Sequence, residues 1–164
     1  MTMKSDVIEE LFRKYYNEAF LYTLSICRNR ELAEDIVQTA FFKALSTVDN
    51  GIKSFKSWLL TVCRNEYMTI CRKRKKLSPD EPDENIPDEN EKVLETIIKK
   101  EEYRALYRAI SLLPDIQREI VVLYYFSGIP LKSISEIIGK TESNTKVLMH
   151  RAKKKHKEIL EVEI

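Results

Sequence analysis

The sequence predicts an all-α protein made of two small helical domains, joined by a flexible acidic linker, with a helix-turn-helix in the second domain. Apolar residues recur at the three- and four-residue spacing of amphipathic helices on both sides of the linker, and no segment alternates like a half-buried strand. Prolines and carboxylates interrupt this pattern at residues 78–91. Near the end, a short apolar-faced helix, a glycine and a longer basic helix follow one another, which is the order of a helix-turn-helix.

The first domain, assigned to residues 1–77, is predicted to contain three amphipathic helices. Asn29 is expected to cap the second helix, because its amide oxygen can accept hydrogen bonds from a first helical turn. The Asp49-Asn50-Gly51 sequence predicts the break before the third. The apolar stripes are, in the first helix, Ile8, Leu11, Phe12, Tyr15, Tyr16 and Phe20; in the second, Leu32, Ile36, Val37, Ala40, Phe41 and Leu45; in the third, Phe55, Trp58, Leu59 and Val62.

The linker is assigned to residues 78–95. Residues 78–91 contain three prolines and seven carboxylates, so they can neither propagate a helix nor bury a core. The net formal charge is +5 over residues 1–77, −7 over the linker and +4 over residues 96–164. Two basic domains joined by an acidic linker are typical of modules that both bind a polyanion. This charge distribution is not that of a single compact enzyme.

The second domain, residues 96–164, is predicted to hold several helices. One covers residues 93–113, one residues 115–126, a short one residues 130–138 and the last residues 142–160. Ser127-Gly128 separates the second and third, and Gly139 ends the third. Thr141 is expected to cap the last helix. A stripe at helical spacing is predicted to face inward from that helix: Thr145, Leu148, Met149 and Ala152.

The other face of the last helix is predicted to bind DNA. Near the start of the helix, an asparagine suits adenine, a lysine suits guanine and a valine suits the thymine methyl group. Cations further along suit phosphates. The residues are Asn144, Lys146, Val147, His150, Arg151, Lys153 and Lys154. The alternative is a solvated basic surface that closes a bundle, with cations that complement the helix dipole.

Cysteine spacing and hydropathy exclude several classes of protein. The three cysteines fit no CxxC or zinc spacing, and His150 and His156 lie far from them, so reduced thiols and no metal site are expected. No apolar run approaches the roughly 18 residues of a membrane span, so no membrane insertion is expected. The amino terminus lacks the order of a signal peptide, which predicts a cytoplasmic location.

An enzymatic role is not expected. The chain has only three glycines and no glycine-rich phosphate loop, so no nucleotide cofactor is predicted. Glu34 and Asp35 form a carboxylate pair, but no histidine or metal-ligand cluster lies near them in sequence. Alone, they are best interpreted as a solvated face in the first turns of a helix.

Residues 113–155, LPDIQREIVVLYYFSGIPLKSISEIIGKTESNTKVLMHRAKKK, resemble region four of the extracytoplasmic-function (ECF) sigma factors, members of the sigma-70 family of bacterial RNA polymerase. The resemblance implies a helix-turn-helix that binds the minus-thirty-five promoter element through the DNA-facing residues named above. In place of the Ser-Arg pair of many members, this chain has Val147-Leu148. The sequence leaves open whether these two read bases or pack in the core.

Residues 33–45, AEDIVQTAFFKAL, resemble region two of the same family. The resemblance implies that Asp35 and Gln38, supported by Glu34, bind the clamp helices of the polymerase. It also implies that the loop after this helix and the helix FKSWLLTVCRNEYMTICRKRKK recognise and melt the minus-ten element. The residues implied there are Asp49, Asn50, Lys53, Arg64, Asn65, Arg72, Lys73 and Arg74.

Two side chains of that helix are open to interpretation. Trp58 shares a helical stripe with Leu59 and Val62, so we place it in the core, with stacking on melted bases as the alternative. Thr69 stands where relatives commonly have an aspartate, which predicts a different bracing of the third helix.

Region two, a linker and region four occur in the family's order and cover nearly the whole chain. The resemblance therefore implies a sigma factor that binds core RNA polymerase through its clamp helices and flap, directs it to promoter DNA and helps to open it. Because relatives are often held by anti-sigma factors, such an inhibitor is a candidate partner. Two alternatives stay open: a self-sufficient DNA-binding regulator whose first module dimerises or senses a ligand, and a nuclease that uses Glu34 and Asp35.

Overall fold

The computed structural model describes residues 3–47, 54–77 and 108–163, and the side chains of residues 6–47, 54–77 and 108–157. Within these ranges the chain is helical apart from short connections, and it contains no strand. It divides into two compact units, Met1–Ile86 and Pro87–Ile164. The all-α class with two helical units is confirmed. The predicted linker, residues 78–95, and most of the helix predicted after it lie outside the described residues.

The first unit contains three helices, α1 (Met3–Cys27), α2 (Arg30–Thr47) and α3 (Phe55–Leu77). Each packs against the other two. Arg28 adopts a left-handed conformation with φ of 55°, and its N–H donates to the Leu24 carbonyl at 2.9 Å, which ends α1. The Asn29 side chain then accepts a hydrogen bond from the Leu32 N–H at 3.0 Å. Asn29 is therefore the predicted cap of α2.

The core of this unit corrects part of the predicted stripes. In α2 the buried residues are Ala33, Ile36, Val37, Ala40, Phe41 and Ala44. Leu45 is exposed instead, as is Phe12 on α1. In α3 the buried residues are Leu59, Leu60 and Cys63, whereas Phe55, Trp58 and Val62 are half-buried. The buried face of α3 is shifted because this helix packs against both α1 and α2, so periodicity alone locates the stripe only to within a neighbouring residue.

The second unit contains α4 (Asp115–Val121), a π-helical turn (Val122–Phe126), α5 (Leu131–Ile138) and α6 (Glu142–Glu163). The predicted helix over residues 115–126 thus changes its hydrogen-bond register halfway along. Gly139 has φ of 69° and ends α5 in the left-handed conformation that favours glycine. Thr141 caps α6 as predicted, since its Oγ1 accepts the Asn144 N–H at 3.1 Å.

A buried arginine fixes the start of α4. The Arg118 guanidinium donates to the Leu113 carbonyl at 3.3 Å and to the Asp115 carboxylate at 2.7 Å. The preceding helix ends at residue 111, so the Leu113 carbonyl lies just beyond it and has no partner within that helix. The Arg118 side chain supplies that partner and also holds the first turn of α4. This network sets the entry of the chain into the helix-turn-helix.

Candidate polymerase- and DNA-binding surfaces

The three residues expected to bind polymerase differ in their surroundings on α2. Asp35 and Gln38 are exposed to solvent. Glu34 is half-buried and accepts a hydrogen bond from Arg30 Nε at 3.4 Å. Partial burial raises the pKa of the Tyr16 phenol, and the nearby Glu34 carboxylate raises it further. Glu34 is therefore engaged within the unit, whereas Asp35 and Gln38 present their side chains outward.

The residues expected to bind the minus-ten element are described only in part. Asp49, Asn50 and Lys53 lie outside the described residues. On α3, Arg64 is half-buried and Asn65 is exposed. The cations in the last turns are all exposed: Arg72, Lys73, Arg74, Lys75 and Lys76. The end of α3 thus forms a dense cationic surface suited to a phosphate backbone.

Thr69 braces this end of α3. Its hydroxyl donates to the Asn65 carbonyl at 2.9 Å and accepts a hydrogen bond from Arg72 Nη2 at 3.3 Å. A threonine here therefore holds the arginine one turn later, and its hydroxyl carries no charge. The hydrogen bond to Arg72 is consequently one between a charged donor and a neutral acceptor.

Trp58 lies at the edge of an aromatic cluster. Its ring centroid is 5.7 Å from that of Phe55, which in turn is 5.9 Å from Tyr15 and 6.0 Å from Phe41. These rings join all three helices of the unit. Because Trp58 is half-buried, it packs against the core without being enclosed by it. Its stacking on bases stays an alternative hypothesis.

The two faces of α6 separate as expected. Thr145, Met149 and Ala152 are buried, and Leu148 is half-buried. Val147 is 47% exposed, so it lies on the outward face. The structure therefore separates the Val147-Leu148 pair: the leucine packs partly inward, and the valine is available to a ligand.

The predicted DNA-facing side chains of α6 share one exposed surface. Lys146 lies 3.8 Å from Glu142, a weak exposed ion pair at the start of the helix. Lys153 Nζ lies 5.9 Å from the ring centroid of Tyr124 on the π-helical turn. All seven predicted residues are exposed, namely Asn144, Lys146, Val147, His150, Arg151, Lys153 and Lys154. The cationic face of α6 is thus open to solvent, and its apolar face makes the packing.

The chain matches two models of the same protein family in order along its length. Residues 11–77 match Sigma-70 region 2, and residues 103–155 match Sigma-70, region 4. The ECF RNA polymerase sigma factor SigM of Bacillus subtilis is 30% identical over 152 residues, which cover 92% of this chain and 93% of that protein. This chain belongs to the ECF group of the sigma-70 family. The RNA polymerase sigma factor YlaC of the same organism is 28% identical over 156 residues, covering 90% of this chain and 88% of YlaC.

Two solved structures have a similar fold. The sigma factor RpoE of Bartonella quintana, in complex with the anti-sigma factor NepR, gives a TM-score of 0.72 at 22% identity, covering 95% of this chain and 98% of that one. CnrH, in complex with the cytosolic domain of CnrY, gives a TM-score of 0.66 at 17% identity, covering 98% and 91%. At these identities the likeness concerns the fold alone.

The three cysteines of this sigma-70 family member, Cys27, Cys63 and Cys71, form no disulfide. Burial raises the pKa of Cys27 to about 11 and that of Cys63 to about 12. Both therefore stay protonated at neutral pH.

The described residues contain no cluster of three or more side chains that could hold a metal ion. Within the same residues, no helix is long and apolar enough to cross a membrane.

Sequence reasoning missed three exposed aromatic residues, two in region four and one in region two. Tyr124 and Tyr125 project from the π-helical turn of region four, with ring centroids 5.0 Å apart. Nothing in the local sequence signals the change of helical register that turns them outward. Phe42 in region two is 74% exposed, and its position seven residues after Asp35 was the available signal.

Proposed function

We propose that this chain is a sigma factor that binds core RNA polymerase, directs it to specific promoters and helps to open the DNA at the start of transcription. The observation that carries this function is the occurrence of regions two and four in order, over most of the chain. We assign region two to residues 1–77, the linker to residues 78–95 and region four to residues 96–164. The relatives of similar length are themselves sigma factors.

Region two supplies the polymerase contact in this proposal. Asp35 and Gln38 are exposed on α2, so they can reach a partner without rearrangement of the bundle. The polymerase clamp helices are the proposed binding partner, and Glu34 supports the site by its hydrogen bond with Arg30. The flap of the polymerase is proposed to contact region four.

The end of α3 and the preceding loop are proposed to hold the minus-ten element. Exposed cations at positions 72–76 would follow the backbone of the melted strand, while Asn65 reaches its bases. Asp49, Asn50 and Lys53 are proposed to line the loop that captures an unstacked base. The free energy for opening would come from binding, so no nucleotide hydrolysis and no enzymatic activity of its own is required.

Region four is proposed to dock α6 in the major groove at the minus-thirty-five element. Asn144, Lys146 and Val147 lie near the amino-terminal end of α6, where a recognition helix reads base edges. Arg151, Lys153 and Lys154 lie further along and would bind phosphates, which fixes the register. A cytoplasmic location follows from the proposed partners, and an anti-sigma factor is a further proposed partner.

Run-off transcription with core polymerase on a random promoter library tests this function directly. We expect transcripts that depend on the chain and that share two sequence elements upstream of their start. A gel-shift assay separates the main alternative, because a self-sufficient regulator would shift promoter DNA without core polymerase. Chain-independent transcription together with a shift by the chain alone would replace the sigma-factor proposal with the regulator.

A further inference from the structure

The outward face of α2 carries a stripe of side chains that the proposed polymerase contact uses only in part. Its members follow one another at spacings of four, three, four and three residues, and all are exposed: Glu31, Asp35, Gln38, Phe42 and Leu45. This spacing keeps side chains on one side of a helix, because about 3.6 residues complete a turn. At about 1.5 Å per residue, the stripe is roughly 21 Å long.

The stripe points directly away from the rest of the unit. The six buried residues of α2 lie on the opposite face of the helix. On one flank of the stripe, Lys43 forms an ion pair with Glu66 of α3. On the other flank, Glu34 interacts with Arg30. The flanks are therefore engaged within region two, whereas the stripe between them faces solvent.

Phe42 is the unexpected member of this stripe. It is 74% exposed, the highest value for an aromatic side chain in the described part of the chain, and Leu45 one turn later is 40% exposed. A single exposed apolar residue needs no explanation. Phe42, however, lies four residues after Gln38 and seven after Asp35, so the three side chains follow one line along α2.

We infer that Phe42 is the apolar anchor of the polymerase interface, inserting into an apolar pocket on the polymerase beside the groups that bind Asp35 and Gln38. This inference rests on the proposed polymerase contact of those two residues. Leu45 borders the same pocket, and Glu31 extends the contact at the other end of the stripe. The interface is therefore polar in its amino-terminal half and apolar in its carboxy-terminal half.

The order of residues in the stripe defines the chemistry of the partner. Alternating spacings of three and four residues are those at which one helix packs along another, so a helical surface of the polymerase fits the stripe. The exposed carboxylates of Glu31 and Asp35 favour lysine or arginine at one end of that surface. The same two carboxylates repel phosphates, which disfavours nucleic acid or an anionic membrane as the occupant.

The test measures the dissociation constant of the full-length chain for core RNA polymerase. Phe42→Ala should weaken binding about 10- to 50-fold, because a few anchor residues that fill pockets of the partner carry most of the energy of an interface. Phe42→Leu keeps an apolar side chain and should weaken it no more than about 3-fold. Asp35→Ala combined with Gln38→Ala serves as the reference for the proposed contact. Val7→Ala on α1, at a side chain that is 43% exposed, is the control and should bind normally.

Each outcome decides between the two proposals. Loss of binding in both the Phe42→Ala variant and the Asp35/Gln38 double variant, with unchanged melting curves, supports the anchor. Normal binding by Phe42→Ala, together with loss in the double variant, overturns the anchor and leaves the polymerase site in place. Normal binding by both overturns the site as well. If Phe42→Ala binds polymerase normally but abolishes self-association of the chain, a second copy covers the stripe and the inference is wrong.

Discussion

Neutralising the cations in the second half of α6 should change the salt dependence of promoter binding by a calculable amount. Lys153, Lys154 and Lys155 are all exposed. If each neutralises one phosphate, the triple glutamine variant loses about 0.9 per contact from the slope of log affinity against log salt, or roughly 2.7 in total. Between about 50 and 200 mM salt, the wild-type chain should therefore lose roughly 40-fold more affinity than the variant.

The assay is equilibrium binding of the holoenzyme to a double-stranded promoter fragment, measured at several salt concentrations within that range. Affinity of the variant should fall for all sequences alike, because phosphate contacts carry no sequence information. Lys154→Gln alone should lower the slope by about 0.9, and the matched control Lys14→Gln on α1 should leave it unchanged. A triple variant with the wild-type slope would remove these lysines from the DNA interface.

Three further predictions concern stability. Thr141→Ala should destabilise the chain by about 1 kcal/mol in thermal or denaturant unfolding, because it removes the cap of α6. An effect near zero would show that the hydrogen bond from the Asn144 N–H does not contribute to stability. Arg118→Met should cost about 1–3 kcal/mol, since it leaves the buried Leu113 carbonyl without this donor, and an unchanged midpoint of unfolding would contradict the bracing of α4. Burial raises the pKa of Cys63 from 9.0 to about 12 on folding, so above about pH 9 the thiol ionises in the unfolded chain but not in the folded one. The free energy of unfolding should therefore fall as the pH rises above about 9, and it should fall less in a Cys63→Ala variant over the same range.

The sequence predicts the helices and their ends well, because these depend on local chemistry. An amide or hydroxyl before a helix caps it, as at Asn29 and Thr141, and a glycine can end one, as at Gly139. The cationic face of α6 is also predictable, because charged residues on a helix that packs through its opposite face remain in water. What the sequence leaves open is the width and rotation of each buried face, which depends on the neighbouring helices.

The apolar residues of α2 illustrate this limit. Periodicity groups Phe41 and Leu45 into one stripe, since four residues separate them, yet Phe41 is 4% exposed and Leu45 is 40% exposed. Ala44 takes the buried place instead, because a small side chain permits close approach of the packed helices. A hydrophobicity pattern treats every apolar residue as a core candidate, and it therefore cannot distinguish Leu45 and Phe42, which face solvent, from their buried neighbours.

The π-helical turn shows a second limit, which concerns hydrogen-bond register rather than packing. The Ser127 N–H donates to the Val122 carbonyl at 3.2 Å, five residues earlier, so one more residue is accommodated per turn than in an α-helix. Val122 and Leu123 stay buried while Tyr124 and Tyr125 turn outward, and this brings the Tyr124 ring beside Lys153 of α6. A one-residue change of register leaves no signature in composition or period, because the sequence VLYYF suits either helix. That the exposed Lys153 of α6 has an aromatic neighbour therefore becomes visible only once the backbone hydrogen bonds of this turn are known.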